Sequence, residues 1–288
     1  MALGILTNVA ATYAENNLNQ TQNSLQTVLQ QLSSGSRINS GADDAAGLSI
    51  SDGLGANQAA LTQSAQNAQN GVGLLQTADG ALSQVTTLLD RAVTLATEAQ
   101  NGGLTAAQST AADTEFQSIV TEIGNIGTST TFNGTAVFGA GATNFVVTDG
   151  TTAGTTTIGA VIGALTGGSV GTTGAPTATA AGAGAVLTGT DLTSTANATT
   201  ALVAITAAVA DVANQRGSIG ANINQLNAAA NVASSEEVNL SSAESSIRST
   251  NYGQATSDLA KFQVLSQTGI SALAQANSVQ QEILKLLQ

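Results

Sequence analysis

Apolar residues recur at alternating spacings of three and four in four separate stretches of this chain. That pattern points to long helices packed lengthwise on one another. Near the C-terminal end it runs through Phe262, Leu265, Gly269, Ala272, Ala276, Val279, Ile283 and Leu286. Leu259, Leu273 and Leu287 lie beside this row and widen it beyond what a two-stranded pairing needs, so more than one neighbour is expected. Leaving the large side chains in water forgoes ~1.5 kcal/mol or more apiece, on the order of 10 kcal/mol together. Something has to cover the stripe.

Near the other end Leu18, Thr21, Leu25, Val28 and Leu32 repeat the spacing. Matching stripes at both ends predict that the two terminal helices lie together, the alternative being ordinary amphipathic helices on a globular body. Between them, a row from Leu61 through Ala68, Gly71, Leu75, Ala78, Leu82, Val85, Leu89, Ala92, Ala96 and Ala99 ends at Asn101-Gly102-Gly103, a strong helix stop. At 1.5 Å per residue this helix runs roughly 60 Å. The longest row, through Leu202, Ile205, Val209, Val212, Arg216, Ile219, Ile223, Leu226, Ala230, Ala233, Glu237, Leu240, Glu244 and Ile247, predicts a helix of roughly 70 Å. Arg216 interrupts it as a polar exception suited to fixing register or pairing with an acid. The row slips by one residue around Asn251-Tyr252-Gly253, where a second rod is expected to begin.

The remaining stretches break this periodicity. From Leu32 to Leu54, Gly35, Gly41 and several Ser and Asn residues predict a connector. Asp43 and Asp44 are better suited to capping than to metal binding, because adjacent residues on a helix point about 100° apart. A shorter helix carries Phe116, Ile119, Val120 and Ile123 on one face, before a turn-rich run from Gly124 to Gly134. Residues 136–200 are dominated by Gly, Thr and Ala. Phe145 to Thr148, Asp149-Gly150 and Thr155 to Ile158 predict a hairpin there, Val186-Leu187 and Leu192 predict further short strands, and disorder is the competing reading of this composition.

Composition removes whole classes of chemistry. The 288 residues include no Cys and no His, which takes away thiol nucleophiles, imidazole bases and the commonest transition-metal ligands. Neither a catalytic, a cofactor-binding nor a metal site is expected. The net charge of −12 argues against nucleic acid as a partner. With 2% aromatic residues, any core must be built from Leu, Ile, Val and Ala, which suits slender bundles. No apolar run is read as long enough to span a membrane, and the opening MALGILTNVA has no Lys or Arg ahead of its short apolar patch, so no cleaved signal peptide is expected.

The stretch LSSGSRINSGADDAAGLSISDGL, from Leu32 to Leu54, resembles the N-terminal signature of bacterial flagellins. The match extends through Phe132-Asn133-Gly134, and the C-terminal 90 residues resemble the family too, leaving the middle unmatched. The resemblance implies a self-assembling flagellar filament subunit, extracellular and exported without a cleaved signal. A filament cap, hook-filament junction proteins and an export chaperone are its implied partners. The expected fold is mainly α, an elongated helical bundle with a terminal coiled-coil rod and a small β-rich or irregular insertion. Its expected parts are residues 1–40 with 255–288 as the rod, 41–148 with 200–254 as the bundle, and 149–199 as a variable, surface-exposed insertion, of which about 150–195 is expected to be removable with filaments retained. The seam residues Leu18, Leu25, Val28, Leu32, Phe262, Leu265, Val279, Ile283 and Leu286 are the expected assembly surface.

The resemblance also brings an innate receptor into view. In flagellins sensed by Toll-like receptor five, the positions matching Arg91, Leu95, Glu98 and Glu115 hold Arg, Leu, Gln and Glu. Spacings of four and three place Arg91, Leu95 and Glu98 on one helical stripe, and Glu115 on the following antiparallel segment is expected beside it. A solvated ion pair between Arg91 and Glu115 is the plainer reading of the same residues. Two other functional classes stand beside this one. A metalloprotease insertion, carried by some flagellins, requires His-Glu-x-x-His and this chain has no His; a flagellin-like surface adhesin is the remaining alternative.

Overall fold

The long apolar rows become long helices. The computed structural model describes residues 8–139, 142–151, 154–166, 169–170 and 187–286, with the side chains of 142, 169–170 and 283–286 also outside the description. The helices are α1 (Val9–Ser34), α2 (Ala45–Ala99), α3 (Ala106–Ser129), α4 (Thr195–Arg248) and α5 (Tyr252–Leu286). Short strands fall between α3 and α4: β1 (Thr131–Phe132), β2 (Thr135–Ala136), β3 (Ala142–Val147), β4 (Thr156–Val161), β5 (Leu165–Thr166) and β6 (Ser169–Val170), paired antiparallel as three two-stranded ribbons. The chain divides into two units, Met1–Ala56 with Asn239–Gln288, and Asn57–Val238.

In the larger unit, every member of the predicted α2 row from Leu61 to Ala99 is buried. Phe116, Ile119, Val120 and Ile123 of α3 join it in one core, as their shared face predicts. Thr105 starts α3 with a reciprocal cap, its hydroxyl accepting from Gln108 N–H while the Gln108 side chain accepts from Thr105 N–H at 2.8 Å. The run from Gly124 to Ser129, predicted to turn, instead continues α3, because Gly127 is needed inside the helix where β5 crosses it.

On α4, Ile205, Val212, Ile219, Leu226 and Ala233 are buried as predicted, but the second buried row is Ala201, Ala208 and Gln215. Leu202, Val209 and Arg216, the residues predicted for that row, are only half-buried. Two small alanines allow close approach at their own positions and leave the larger neighbours at the flank. Arg216 turns instead to Asp79 of α2, its Nε donating to Oδ1 at 2.8 Å, which fulfils the expected pairing with an acid. By length and composition α4 also contains a window apolar enough to cross a membrane, contrary to the reading of the bare sequence. Its Ile205 and Val212 pack in the protein core.

The predicted hairpin forms between β3 and β4, with Phe145 opposite Ile158. Ser64 of α2 holds its turn end, donating to Thr148 O at 2.7 Å and accepting from Thr148 N–H at 2.9 Å. Val186 lies outside the described residues, while Leu187 and Leu192 are not in strands. The insertion expected to be surface-exposed over residues 149–199 is buried in part. Ile158, Ala160, Ile162, Leu165, Leu187 and Leu192 are buried in the same core as α2, α3 and α4. Asp113 of α3 anchors the returning chain by accepting from Leu192 N–H at 2.9 Å.

In the smaller unit, Gly35 ends α1 in the left-handed conformation at φ 70°, as a C-terminal stop commonly does. The connector is shorter than predicted, because residues from Ala45 onward are already helical. Asp44 caps that start through Gly47 N–H at 2.9 Å, as predicted, whereas Asp43 accepts from the backbone N–H groups of Asn39 and Ser40 and closes a turn in the connector instead of capping a helix. The break between α4 and α5 lies at the predicted place. It is stitched to the α1–α2 connector by Arg37 N–H donating to Arg248 O at 2.7 Å and Thr250 N–H donating to Gly35 O at 3.0 Å.

Candidate assembly surface

The terminal helices pair antiparallel within the smaller unit. Asn8, whose side chain caps α1 by accepting from Ala11 N–H, also donates through Nδ2 to Ala276 O at 2.9 Å. Further along, Leu18 packs over Gly269, where a Cβ would come within 3.2 Å of Leu18 Cδ1. Glycine therefore sets how closely the two helices approach.

One helix cannot cover a stripe as broad as that of α5. Phe262, Ser266, Gly269, Leu273 and Ala276 are half-buried at spacings of four, three, four and three. Leu265 and Val279 remain 43% and 42% exposed, and Ala272 between them is exposed as well. Among the residues whose side chains are described, the predicted seam is thus shared at Phe262, Gly269 and Ala276, and its other row is left open, because the apolar stripe spans two rows and α1 reaches one. On α1, Val28 is buried while Leu18, Leu25 and Leu32 are half-buried. The side chains of Ile283 and Leu286 lie outside the described residues.

A groove of about 370 Å³ runs along the open side, lined by Ala14, Leu18, Thr21, Leu265, Gly269 and Ala272 among others. Val9 and Tyr13 on α1 and Val264 and Ile270 on α5 are exposed as well. The only charged residue in α1 is Glu15. The groove is uncharged and largely apolar, on a chain of strong net charge, and apolar surfaces that open between two helices commonly mark interaction sites. The open row went unread in the sequence because the width of the stripe signals a second neighbour without saying which row the first one takes.

The larger unit holds the other candidate site. Arg91 and Glu115 form a bidentate pair across α2 and α3, with Nε to Oε1 at 2.7 Å and Nη2 to Oε2 at 3.0 Å. Hydrogen bonding to Arg91 holds the Glu115 carboxyl below its ordinary range, and Glu115 raises the guanidinium, with Glu98 adding attraction. Leu95 does not share their exposure; at 3% it belongs to the core, since the α2 row buries that position. The accessible patch is Arg91, Glu98 and Glu115. Among the described residues no group of three or more acidic side chains is arranged to hold a metal ion.

Comparison with known proteins extends over most of the chain. The model of the bacterial flagellin N-terminal helical region matches residues 5–143, and that of the C-terminal helical region matches residues 202–287. A flagellin of Halalkalibacterium halodurans is 33% identical over 280 residues, spanning 97% of this chain and 98% of its own. Flagellin FlaB2 of Treponema pallidum is 32% identical over 289 residues, with the same coverage of 97% and 98%. A flagellin of Serratia marcescens is 43% identical over 137 residues, which take in 48% of this chain but only 39% of that longer relative. A crystal structure of Bacillus cereus flagellin aligns with a TM-score of 0.45 and 26% identity, covering 58% of this chain and 88% of that one.

Proposed function

Because this chain belongs to the bacterial flagellin family, we propose that it is a structural subunit that self-assembles through α1 and α5 into the flagellar filament outside the cell. The observation that carries this reading is the open row of Leu265, Ala272 and Val279 beside the covered one, an apolar surface shaped for a further helix. In this reading neighbouring copies cover it, and Leu18, Leu25, Val28, Leu32, Phe262, Ile283 and Leu286 complete the assembly surface. In this reading residues 1–40 with 255–288 form the filament core. The family is a structural one, and the reading assigns no reaction to the chain. An export chaperone, a filament cap and hook-filament junction proteins belong to the same proposal.

Sedimentation of purified protein seeded with filament fragments, followed by electron microscopy, tests it. The expected result is pelletable helical filaments that incorporate the added chain. A chain that stays monomeric beside seeds that elongate with another flagellin overturns the reading.

Toll-like receptor five is proposed as a further partner, meeting Arg91, Glu98 and Glu115. Because Arg91 is already held bidentately by Glu115, a receptor group has to compete with that pair or bind around it. A receptor reporter assay on monomer is expected to lose signal with Arg91→Ala. Wild-type protein that is silent where a sensed flagellin is active removes the receptor from the proposal.

A further inference from the structure

The chain contains three Asn-Gly pairs, Asn70-Gly71, Asn101-Gly102 and Asn133-Gly134, and the fold treats them differently. An asparagine followed by glycine can modify itself: the next residue's amide nitrogen attacks the side-chain carbonyl carbon, and glycine offers no Cβ to obstruct the approach. Reaction requires that this nitrogen be free and that the side chain swing over it.

Asn70-Gly71 meets neither condition. Gly71 is buried within α2, where a Cβ would stand 2.8 Å from Phe145 and 3.0 Å from Leu226, and its N–H lies inside the helical hydrogen-bond ladder. Asn133-Gly134 forms the two-residue turn between β1 and β2, with Asn133 fixed at φ 50° and Gly134 at φ 77°. The strand pairs Phe132–Thr135 and Thr131–Ala136 hold both residues in place.

Asn101-Gly102 stands in the loop between α2 and α3, with Asn101, Gly102 and Gly103 all exposed. Asn101 N–H donates to Glu98 O at 3.0 Å and Leu104 N–H donates to Asn101 O at 3.3 Å, so the flanks of the loop are anchored. Gly102 N–H has no such partner among the described residues. Gly103 N–H donates to Asn101 Oδ1 at 3.4 Å, which folds the side-chain amide back over the loop. The same N–H is a donor aimed at the oxygen on which negative charge develops when the carbonyl carbon is attacked.

We propose that Asn101 is a site of spontaneous deamidation in the folded protein. Gly102 nitrogen forms a bond to Asn101 Cγ, the displaced amide leaves as ammonia with the proton released from Gly102, and a five-membered succinimide results. Water then opens the ring at either carbonyl, giving aspartate or, with the main chain rerouted through the side chain, isoaspartate. The net change is amide plus water to carboxylate plus ammonium, and no other reactant is required. The product places a negative charge at the C-terminal end of α2, the end that disfavours it.

The full chain is held at mildly alkaline pH and mapped by peptide mass spectrometry over time, with isoaspartate detected by methyltransferase labelling and urea-unfolded protein as reference. In the folded protein the Asn101 peptide is expected to gain ~1 Da first. It should run about tenfold ahead of the Asn133 peptide, whereas the unfolded chain converts all three pairs at similar rates because only the fold distinguishes them. Gly102→Ala should slow conversion at Asn101 about tenfold. That variant keeps the fold, because a Cβ at Gly102 meets nothing within 4 Å and its backbone is not left-handed. Conversion led by Asn70 or Asn133, or an Asn101 rate unchanged in Gly102→Ala, overturns the proposal.

Discussion

Gly127 of α3 lies directly against the backbone of Leu165 in β5: a Cβ there would stand 1.9 Å from the Leu165 carbonyl oxygen and 2.8 Å from its carbonyl carbon. The glycine is a notch in the helix through which the strand passes, and it fixes part of the Gly- and Thr-rich region onto the bundle. Leu165 itself is buried.

Gly127→Ala is therefore expected to destabilise the larger unit. The obstacle is main chain, which cannot rotate away as a side-chain tip can. Overpacking of this kind costs ~1–3 kcal/mol, against ~1 kcal/mol that alanine contributes to a helix interior. A lower urea midpoint with unchanged slope is the expected reading. A higher midpoint would mean that β5 is not held where it stands.

Removing residues 154–192 should unfold the larger unit, in contrast to the freely deletable insertion that composition suggests. The cut takes away Ile158, Ile162, Leu165, Leu187 and Leu192, all buried, at ~1.5–3 kcal/mol each. Their sum is comparable to the ~5–15 kcal/mol by which a whole domain is stable. Circular dichroism on the deletion should show lost cooperative melting. Leu192→Ala, 0% exposed in the parent, should cost about 3 kcal/mol as a milder check. Filaments of normal yield and stability from the deleted chain would contradict both expectations.

These two predictions mark where the sequence ceases to be legible. The α2 row could be read residue by residue because a long helix repeats one geometry, and each position from Leu61 to Ala99 inherits its burial from the last. On α4 the same spacing was right about Ile205 and Val212 but off by one at Leu202 and Val209. A stripe three residues wide contains two valid heptad tracings, and only the neighbours choose between them. Ile158, Ile162 and Leu165 stand among Gly and Thr with no sustained period, so nothing local marks them as core. The β1–β2 hairpin did carry a signal, since Asn133-Gly134 is a strong two-residue turn pair, but it was absorbed into a turn-rich segment. At the assembly surface the broad stripe of α5 was readable, whereas the exposure of Leu265 and Val279 depends on which side α1 takes.

Asp191 should contribute stability that disappears in acid. Its Oδ1 accepts from Thr193 N–H at 3.0 Å and from Asn197 Nδ2 at 2.8 Å, and also from the Thr193 hydroxyl, tying the chain to the start of α4. The Thr193 hydroxyl first, then the Asn197 amide and the Thr193 N–H, hold the carboxyl below its ordinary value of 3.8. A carboxyl lowered in the folded state stabilises fully above its unfolded value, and the contribution is lost as pH falls through the lowered one. Asp191→Ala should therefore be less stable than the parent near neutrality, and the difference between their urea midpoints should shrink below the ordinary carboxylate range. A difference that is constant with pH, or grows in acid, contradicts the assignment.

Leu265→Asp and Val279→Asp should separate assembly from folding. Both side chains are more than two-fifths exposed, so in the free chain a charge there stays solvated, and surface changes of this kind usually shift stability by less than ~0.5 kcal/mol. On the proposed filament the same positions face another helix. Burying an unpaired carboxylate there costs several kcal/mol, on the order of 3 or more, in every subunit added. The expected outcome is a monomer with the parent's melting curve that neither polymerises nor elongates seeds. Gln263→Asp, on an exposed polar position of the same helix, is the control and should polymerise. Filaments from Leu265→Asp at parental yield would place the contact elsewhere, and a collapse of the monomer's own melting transition would show that α5 buries this row within one chain.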